Sequence, residues 1–278
     1  SSDVCSSDLI VAIRPYATKT GEVLAEVTAA ARDRMAESST DGEHPLLVRR
    51  EEQRIHLVVV TSDRGLCGAF NTNILRRAHQ LWKESEAEGK EVSMALIGRK
   101  GRDYFRRRSA PIREVFDGVW DKLNLEQARR VARGVLAPYV AGEVDAIYLV
   151  YNEFKSAMTQ TVIKEPLFPL DAELEGRATS AADEARLQSA REREFIFEPN
   201  KERVLERLVP MYVEVTVLRA LLESQASELG ARMTAMDSAT KNASEMIDKL
   251  TLQYNRARQA SITTELMEII GGAEALQQ

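Results

Sequence analysis

Beyond Pro210 the sequence contains no proline, and its only glycines there are Gly230, Gly271 and Gly272. Proline removes a helix hydrogen bond and glycine weakens a helix by about 1 kcal/mol, so a stretch this poor in both reads as one helix. A helix over residues 201–270 would be ~100 Å long at about 1.5 Å rise per residue, far more than a globular domain needs. Pro199-Asn200 supplies a start, with Asn200 as N-cap, and Pro210 is expected to kink the first part.

The same stretch carries a seam. Alternating steps of three and four from Leu205 land on Leu208, Tyr212, Val215, Arg219, Leu222, Ala226, Leu229, Met233, Met236, Thr240, Ala243, Ile247, Leu250, Tyr254, Ala257 and Ser261. Only Arg219 is badly placed on this coiled-coil pattern. A seam needs a covering helix. Within the chain the candidate is residues 10–38, helical by pattern, with Tyr16, Val23, Leu24, Val27 and Met35 as its apolar residues. It is much shorter than the long helix, so either helix is lost from the N-terminus or another protein covers the rest.

Between the two helices the period changes. IHLVVVT (55–61) is β-branched and nearly continuous in apolar residues, as a strand buried on both faces should be. Helix is expected at 70–88, 99–108 and 124–141, and strand at 92–98, 112–116, 145–154 and 160–170. Alternating strands and helices predict a Rossmann-like, mostly parallel α/β domain. The fold class is therefore α/β: a long helical coiled coil with this domain, over 50–170, inserted between its helices. Residues 171–193 read as a flexible insertion, and 194–278 as a connector and the long helix. The first nine residues, SSDVCSSDL, lack periodicity and read as a scar, tag or disordered segment outside the fold.

Composition excludes several classes. A net charge of -5 gives no electrostatic reason to bind nucleic acid. No stretch approaches the ~20 apolar residues of a membrane helix, so membrane association is expected to be peripheral only. Cys5, Cys67, His44, His56 and His79 share no metal-ligand spacing, and no metal or cofactor is expected. The turn DRGLCGAFN (63–71) lacks the G-x-G-x-x-G and Walker patterns. Gly65 and Gly68 read there as turn and close-packing residues. GRKGRDYFRRR (98–108) is the strongest basic run and reads first as a solvated helix face.

Three motifs carry a resemblance: SDRGLCGAFN (62–71), YNEFKSAMTQ (151–160) and the block ASELGARMTAMDSATKNASEMIDKLTLQYNRARQASITTELMEIIGGAEAL (226–276). Together they resemble the gamma subunit of F-type ATP synthases, from about RPYA (14–17) to the C-terminus. The family begins with a longer N-terminal helix, of which roughly the first forty residues have no counterpart here, and the expectation is a truncated shaft. The resemblance implies a non-catalytic central-stalk rotor that couples proton flow through the membrane ring to ATP synthesis. Its implied partners are the alpha and beta subunits of the catalytic head, the epsilon (or delta) subunit and the membrane c-ring. Its implied place is peripheral, on the cytoplasmic face of a bacterial plasma membrane, with the mitochondrial inner membrane as the alternative.

Residue roles follow from the motif match. In RARQASITTEL (256–266), Arg258, Gln259 and Thr263 match the residues that grip a loop of the catalytic subunit, and Arg232 is a further contact candidate. Lys241 and Lys249 are weaker candidates of the same kind. Ile262, Leu266, Ile269 and Ile270 match an apolar axle tip, and Phe195, Phe197 and Glu198 the contact to the membrane ring. Without the resemblance, a solvated helix face, a plain surface charge and ordinary strand packing compete for these residues. Two other functions stay open on residues alone. One is a Rossmann-like nucleotide-binding enzyme. The other is a coiled-coil adaptor or RNA-binding module using residues 99–108.

Overall fold

The computed structural model describes residues 10–25, 27, 50–170 and 201–275, and the chain divides into two compact units between Arg232 and Met233. In the first unit, helix α1 (10–25) precedes the sheet. Then follow β1 (Arg54–Val60), α2 (Phe70–Ala87), β2 (Glu91–Ile97), α3 (Arg99–Arg106) and β3 (Ile112–Phe116). After them come α4 (Leu125–Val140), β4 (Ala146–Phe154), β5 (Gln160–Phe168) and α5 (Lys201–Ala275), the last running into the second unit.

The sheet order is β3-β2-β1-β4-β5. β1 pairs in parallel with β2 and β4, and β2 with β3, as expected of a Rossmann-like half. β5 departs from the parallel pattern: it runs antiparallel to β4. The reason is the short turn at 155–159, closed by Ser156 N–H donating to Thr159 O at 3.0 Å. A parallel return needs a crossover of a dozen or more residues, which this turn cannot supply.

Each sheet face holds a core. On one, Leu57, Val59, Met94 and Leu96 pack with Ile74 and Trp82 of α2 and Phe105 of α3. On the other, Val58, Val60, Ala95 and Ile97 pack with Val131, Val135 and Tyr139 of α4 and with α5. β1 is buried from Ile55 to Val60, as its apolar run requires. Gly98 is required where β2 meets α3. Its φ is +91°, and a Cβ there would lie 2.1 Å from the Thr61 carbonyl oxygen.

The seam differs from a single stripe. Between Val209 and Ala226 helix α5 is covered on two sides. Val209, Tyr212, Val213, Val217 and Leu221 join the sheet's core, whereas Leu222 and Ala226 meet Ile10 and Ile13 of α1. A helix apolar nearly all round must be buried nearly all round. Arg219 is not misplaced: its guanidinium pairs with Glu165 of β5, whose carboxylate also accepts from the Tyr151 hydroxyl at 2.5 Å. In the second unit every residue from Met236 to Ile270 is exposed, including Ile247, Leu250 and Tyr254. Among the described residues no helix is long and apolar enough to cross a membrane.

Candidate partner-binding surfaces

The surface predicted for partner contact lies on the second unit's stretch of α5. Residues three and four apart share a helix face. Arg258, Ile262, Leu266 and Ile269 or Ile270 therefore form one row, and Gln259 and Thr263 the next. Ile262, Leu266, Ile269 and Ile270 are each at least half exposed, the least of them Ile270 at 50%. Arg258 and Gln259 are exposed, and their side chains carry no hydrogen bond or ion pair to other described residues. The Thr263 hydroxyl donates to the Gln259 carbonyl at 2.8 Å, which leaves its oxygen able to accept. The arrangement presents donors beside an apolar row, with no acidic side chain among the described residues paired to Arg258.

Arg232 is different. It is the last residue of the first unit and is partly buried, its guanidinium paired with Glu228 one turn earlier. Burial raises the Glu228 carboxyl above its ordinary value, and the Arg232 hydrogen bond opposes that rise. Contact with a partner would have to compete with this pair. Arg232 and the Arg258 group belong to separate units. Lys241 and Lys249 are exposed. Phe195, Phe197 and Glu198 lie outside the described residues.

A node that the sequence reading did not single out joins α1, β4 and α5. Arg14 donates from Nε to Glu223 Oε1 at 2.7 Å and from Nη2 to Oε2 at 2.8 Å. Arg14 Nη2 also reaches the Phe154 carbonyl at 2.6 Å, and Phe154 N–H donates to Glu223 Oε2 at 2.8 Å. Glu223 is 2% exposed, so this is a bidentate, buried, multiply bonded carboxylate. The only sequence signal was a glutamate inside the apolar run LRALLESQA (218–226).

The β1–α2 loop is internally satisfied. The Asn71 amide bonds Ser62 and Cys67, and Cys67 is buried. The first N–H groups of α3 are taken by protein acceptors: Arg99 N by Asp63, Lys100 N by the Ser62 carbonyl and Gly101 N by Thr61 Oγ1. Those donors, which a strand–helix phosphate site would use, are committed.

The family model described as ATP synthase matches residues 6–276. The ATP synthase gamma chain of Sorangium cellulosum (strain So ce56) is 55% identical, with 97% of this chain and 88% of that one covered. The chain belongs to the ATP synthase gamma chain family. The gamma chain of Geobacter metallireducens (strain ATCC 53774 / DSM 7210 / GS-15) is 48% identical over 96% of this chain and 86% of its own. The Tetrahymena thermophila mitochondrial ATP synthase central stalk/c-ring structure aligns with a TM-score of 0.56 and 23% identity. It covers 86% of this chain and 97% of that one. The Euglena gracilis mitochondrial ATP synthase structure in rotational state 3 aligns with a TM-score of 0.58 and 19% identity. It covers 99% of this chain and 94% of that one. At these identities the solved structures show a shared fold.

As a gamma chain, this protein is a central-stalk rotor subunit of the membrane-associated ATP synthase complex, and its partners are within that complex. The gamma-chain fold accounts for the two demands that the sequence makes on α5. One stretch is packed into the α/β body, and the other keeps its apolar and polar side chains exposed.

Proposed function

We propose that this gamma chain, itself without catalytic residues, couples proton flow to ATP synthesis through the exposed stretch of α5. The single observation that carries this reading is the helix from Met236 to Ile270, exposed throughout and bearing both an apolar row and uncommitted donors. Such a surface fits partners that surround it and change at each rotational step. Arg258, Gln259 and Thr263 bind a loop of the catalytic beta subunit. A guanidinium–carboxylate contact is worth roughly 1.5–3 kcal/mol, strong enough to transmit a step and weak enough to re-form at the next. Ile262, Leu266, Ile269 and Ile270 turn inside an apolar sleeve of the alpha and beta subunits, where no directional bond resists rotation. Arg232 contacts the same head by exchanging Glu228 for an outside carboxylate. The epsilon (or delta) subunit and the membrane c-ring bind the other end, the ring through Phe195, Phe197 and Glu198. The complex works on the cytoplasmic face of a bacterial plasma membrane.

The test is the double variant Arg258→Ala/Gln259→Ala in the assembled complex. Losing one such contact predicts a fall in proton-driven ATP synthesis of about tenfold, since about 1.4 kcal/mol is one decade. The circular dichroism and melting of the isolated chain are expected to stay unchanged, because both side chains are exposed. ATP synthesis at the wild-type rate would overturn the assignment of these residues.

A further inference from the structure

An open groove of about 510 Å³ lies between the β1–α2 loop and helix α3. The loop wall is Gly65, Leu66, Cys67 and Gly68, and the helix wall carries Lys100, Arg107 and Arg108 with one carboxylate, Asp103. The net lining charge is positive, on a chain whose net charge is -5.

Two other basic residues of α3 are occupied. Arg99 lies 3.9 Å from Asp63, and Arg102 pairs with Asp103 at 3.2 Å and Asp117 at 3.1 Å. Asp103 is thus already engaged. Lys100 and Arg107 are exposed and form no ion pair among the described residues. Arg108 is held in place: its guanidinium stacks 3.6 Å from the centre of the Tyr104 ring and donates to the Tyr104 carbonyl at 3.1 Å. Lys100 and Tyr104, four apart, share one face of α3, and Arg107 and Arg108 follow in the turn that closes the helix.

The loop wall is shaped to let something approach. A Cβ at Gly65 would meet only the Lys100 side chain, with Nζ at 3.9 Å, so loop backbone and ammonium face one another across open space. Leu66 holds a φ of +62° and Gly68 one of +53°. A leucine rarely adopts that region. The Asn71 bonds to Ser62 and Cys67 anchor the base of the loop.

We propose that this groove binds the phosphate chain of a small polyanion, a nucleoside triphosphate or an inorganic polyphosphate, between Lys100, Arg107 and Arg108. The volume falls within the roughly 300–1,000 Å³ usual for small-ligand pockets. Planar guanidiniums match phosphate oxygens, and an ammonium serves as a point charge between them. The site does not use the start of α3, whose amides are committed. One face of Tyr104 is covered by Arg108, and its ring also contacts His79 and Phe105, which leaves poor purchase for a nucleobase. Recognition therefore rests on the phosphates, and a base adds little. This site is separate from the α5 surface and independent of the roles given to Arg258 and Gln259.

The experiment is a calorimetric titration of the full chain with tripolyphosphate, with ATP and with a poly-glutamate peptide, in chelator and low salt. Expected is saturable, submillimolar binding of tripolyphosphate and ATP with dissociation constants within about threefold of one another, weakened by added salt. Lys100→Gln/Arg107→Gln is expected to weaken both about tenfold, and Lys100→Arg alone, which keeps the charge and leaves the Arg107 guanidinium in place, to retain most of the affinity. Hydrogen exchange should slow on binding at 62–72 and 99–108, and not in β5. No saturation by tripolyphosphate below about 1 mM would overturn the proposal, as would equal affinity in the Gln variants. Binding of ATP without tripolyphosphate would replace it with base recognition. Poly-glutamate binding more tightly than tripolyphosphate would replace it with an acidic protein partner.

Discussion

Helix α5 contains two stretches with similar apolar spacing and opposite surroundings. From Val209 to Ala226 its apolar side chains, Met211 excepted, are buried or half-buried between the sheet, α4 and α1. From Met236 to Ile270 the corresponding side chains are exposed, among them Ile247 at 62% and Tyr254 at 66%. A three–four pattern states that a helix needs cover. It does not state where the cover comes from. The first stretch is stabilised inside the chain by burial, and the second leaves the same kind of surface exposed, as the proposed contact with other subunits requires. Isolated helices gain little from propensity alone, so the second stretch depends on its assembly for most of its rigidity.

The sharpest way to break this contrast is at the node that fastens the buried stretch. Arg14→Ala removes both of its bonds to Glu223 and its bond to the Phe154 carbonyl, and leaves a carboxylate of 2% exposure with the Phe154 amide as its one remaining bond from that node. Removing one partner of a buried pair costs about 3–5 kcal/mol. Arg14 itself is part-exposed, at 40% of its side chain, so the lower end is expected. Urea unfolding of the variant and wild type measures it. A loss under about 1 kcal/mol would mean that α1 is not fastened to α5 through this pair.

The node also shows what periodicity misses. Arg14 and Glu223 are 209 positions apart, and Arg219 and Glu165 are 54 apart. No local pattern reports such partners, and Arg219 therefore looks like a defect in the seam when it is a neighbour of the β4–β5 hairpin. The elements themselves were legible because each has one dominant signal. β1 is a continuous apolar run, α4 has Asn124 as N-cap accepting from Gln127 N, and β3 spans Ile112–Phe116 as read. The direction of β5 was set by the length of a turn, which the strand pattern does not contain. The two-sided burial of α5 was hidden because stepping by three and four follows one face, and Val209, Val213 and Leu221 lie off it. For the candidate site, spacing gave the rows of Arg258 and Gln259, and only family resemblance gave their roles.

A second test addresses the core beneath the buried stretch. His56 shares a strand face with Val58 and Val60, is 1% exposed and lies 2.7 Å from Ser93 Oγ. Burial, helped by the positive field of Arg113, lowers its pKa from 6.5 to about 4. The folded value is below the unfolded one, so the unfolded chain binds more protons between those values. Stability is complete above this window and falls as pH drops through it. Going from about pH 7 to about pH 5 should cost on the order of 2 kcal/mol. His56→Gln should be less stable at neutral pH and lose most of that pH slope. An unchanged slope in the variant would assign the acid sensitivity to other groups.

The smallest expected effect is the most informative about the exposed stretch. Ile247→Ser and Leu250→Ser change side chains exposed by 62% and 56%. In the isolated chain each should shift unfolding by no more than about 0.5 kcal/mol, as surface substitutions do. Leu222→Ser, at 8% exposure on the same helix, should cost about 2–5 kcal/mol. Hydrophobic-dye binding to the isolated chain should drop in the first pair, because those side chains are part of the exposed apolar surface. A large loss of stability in Ile247→Ser would show that residues of this chain cover the upper seam in solution. The division of α5 into a self-covered and a partner-covered stretch would then fail at the residue that most clearly defines it.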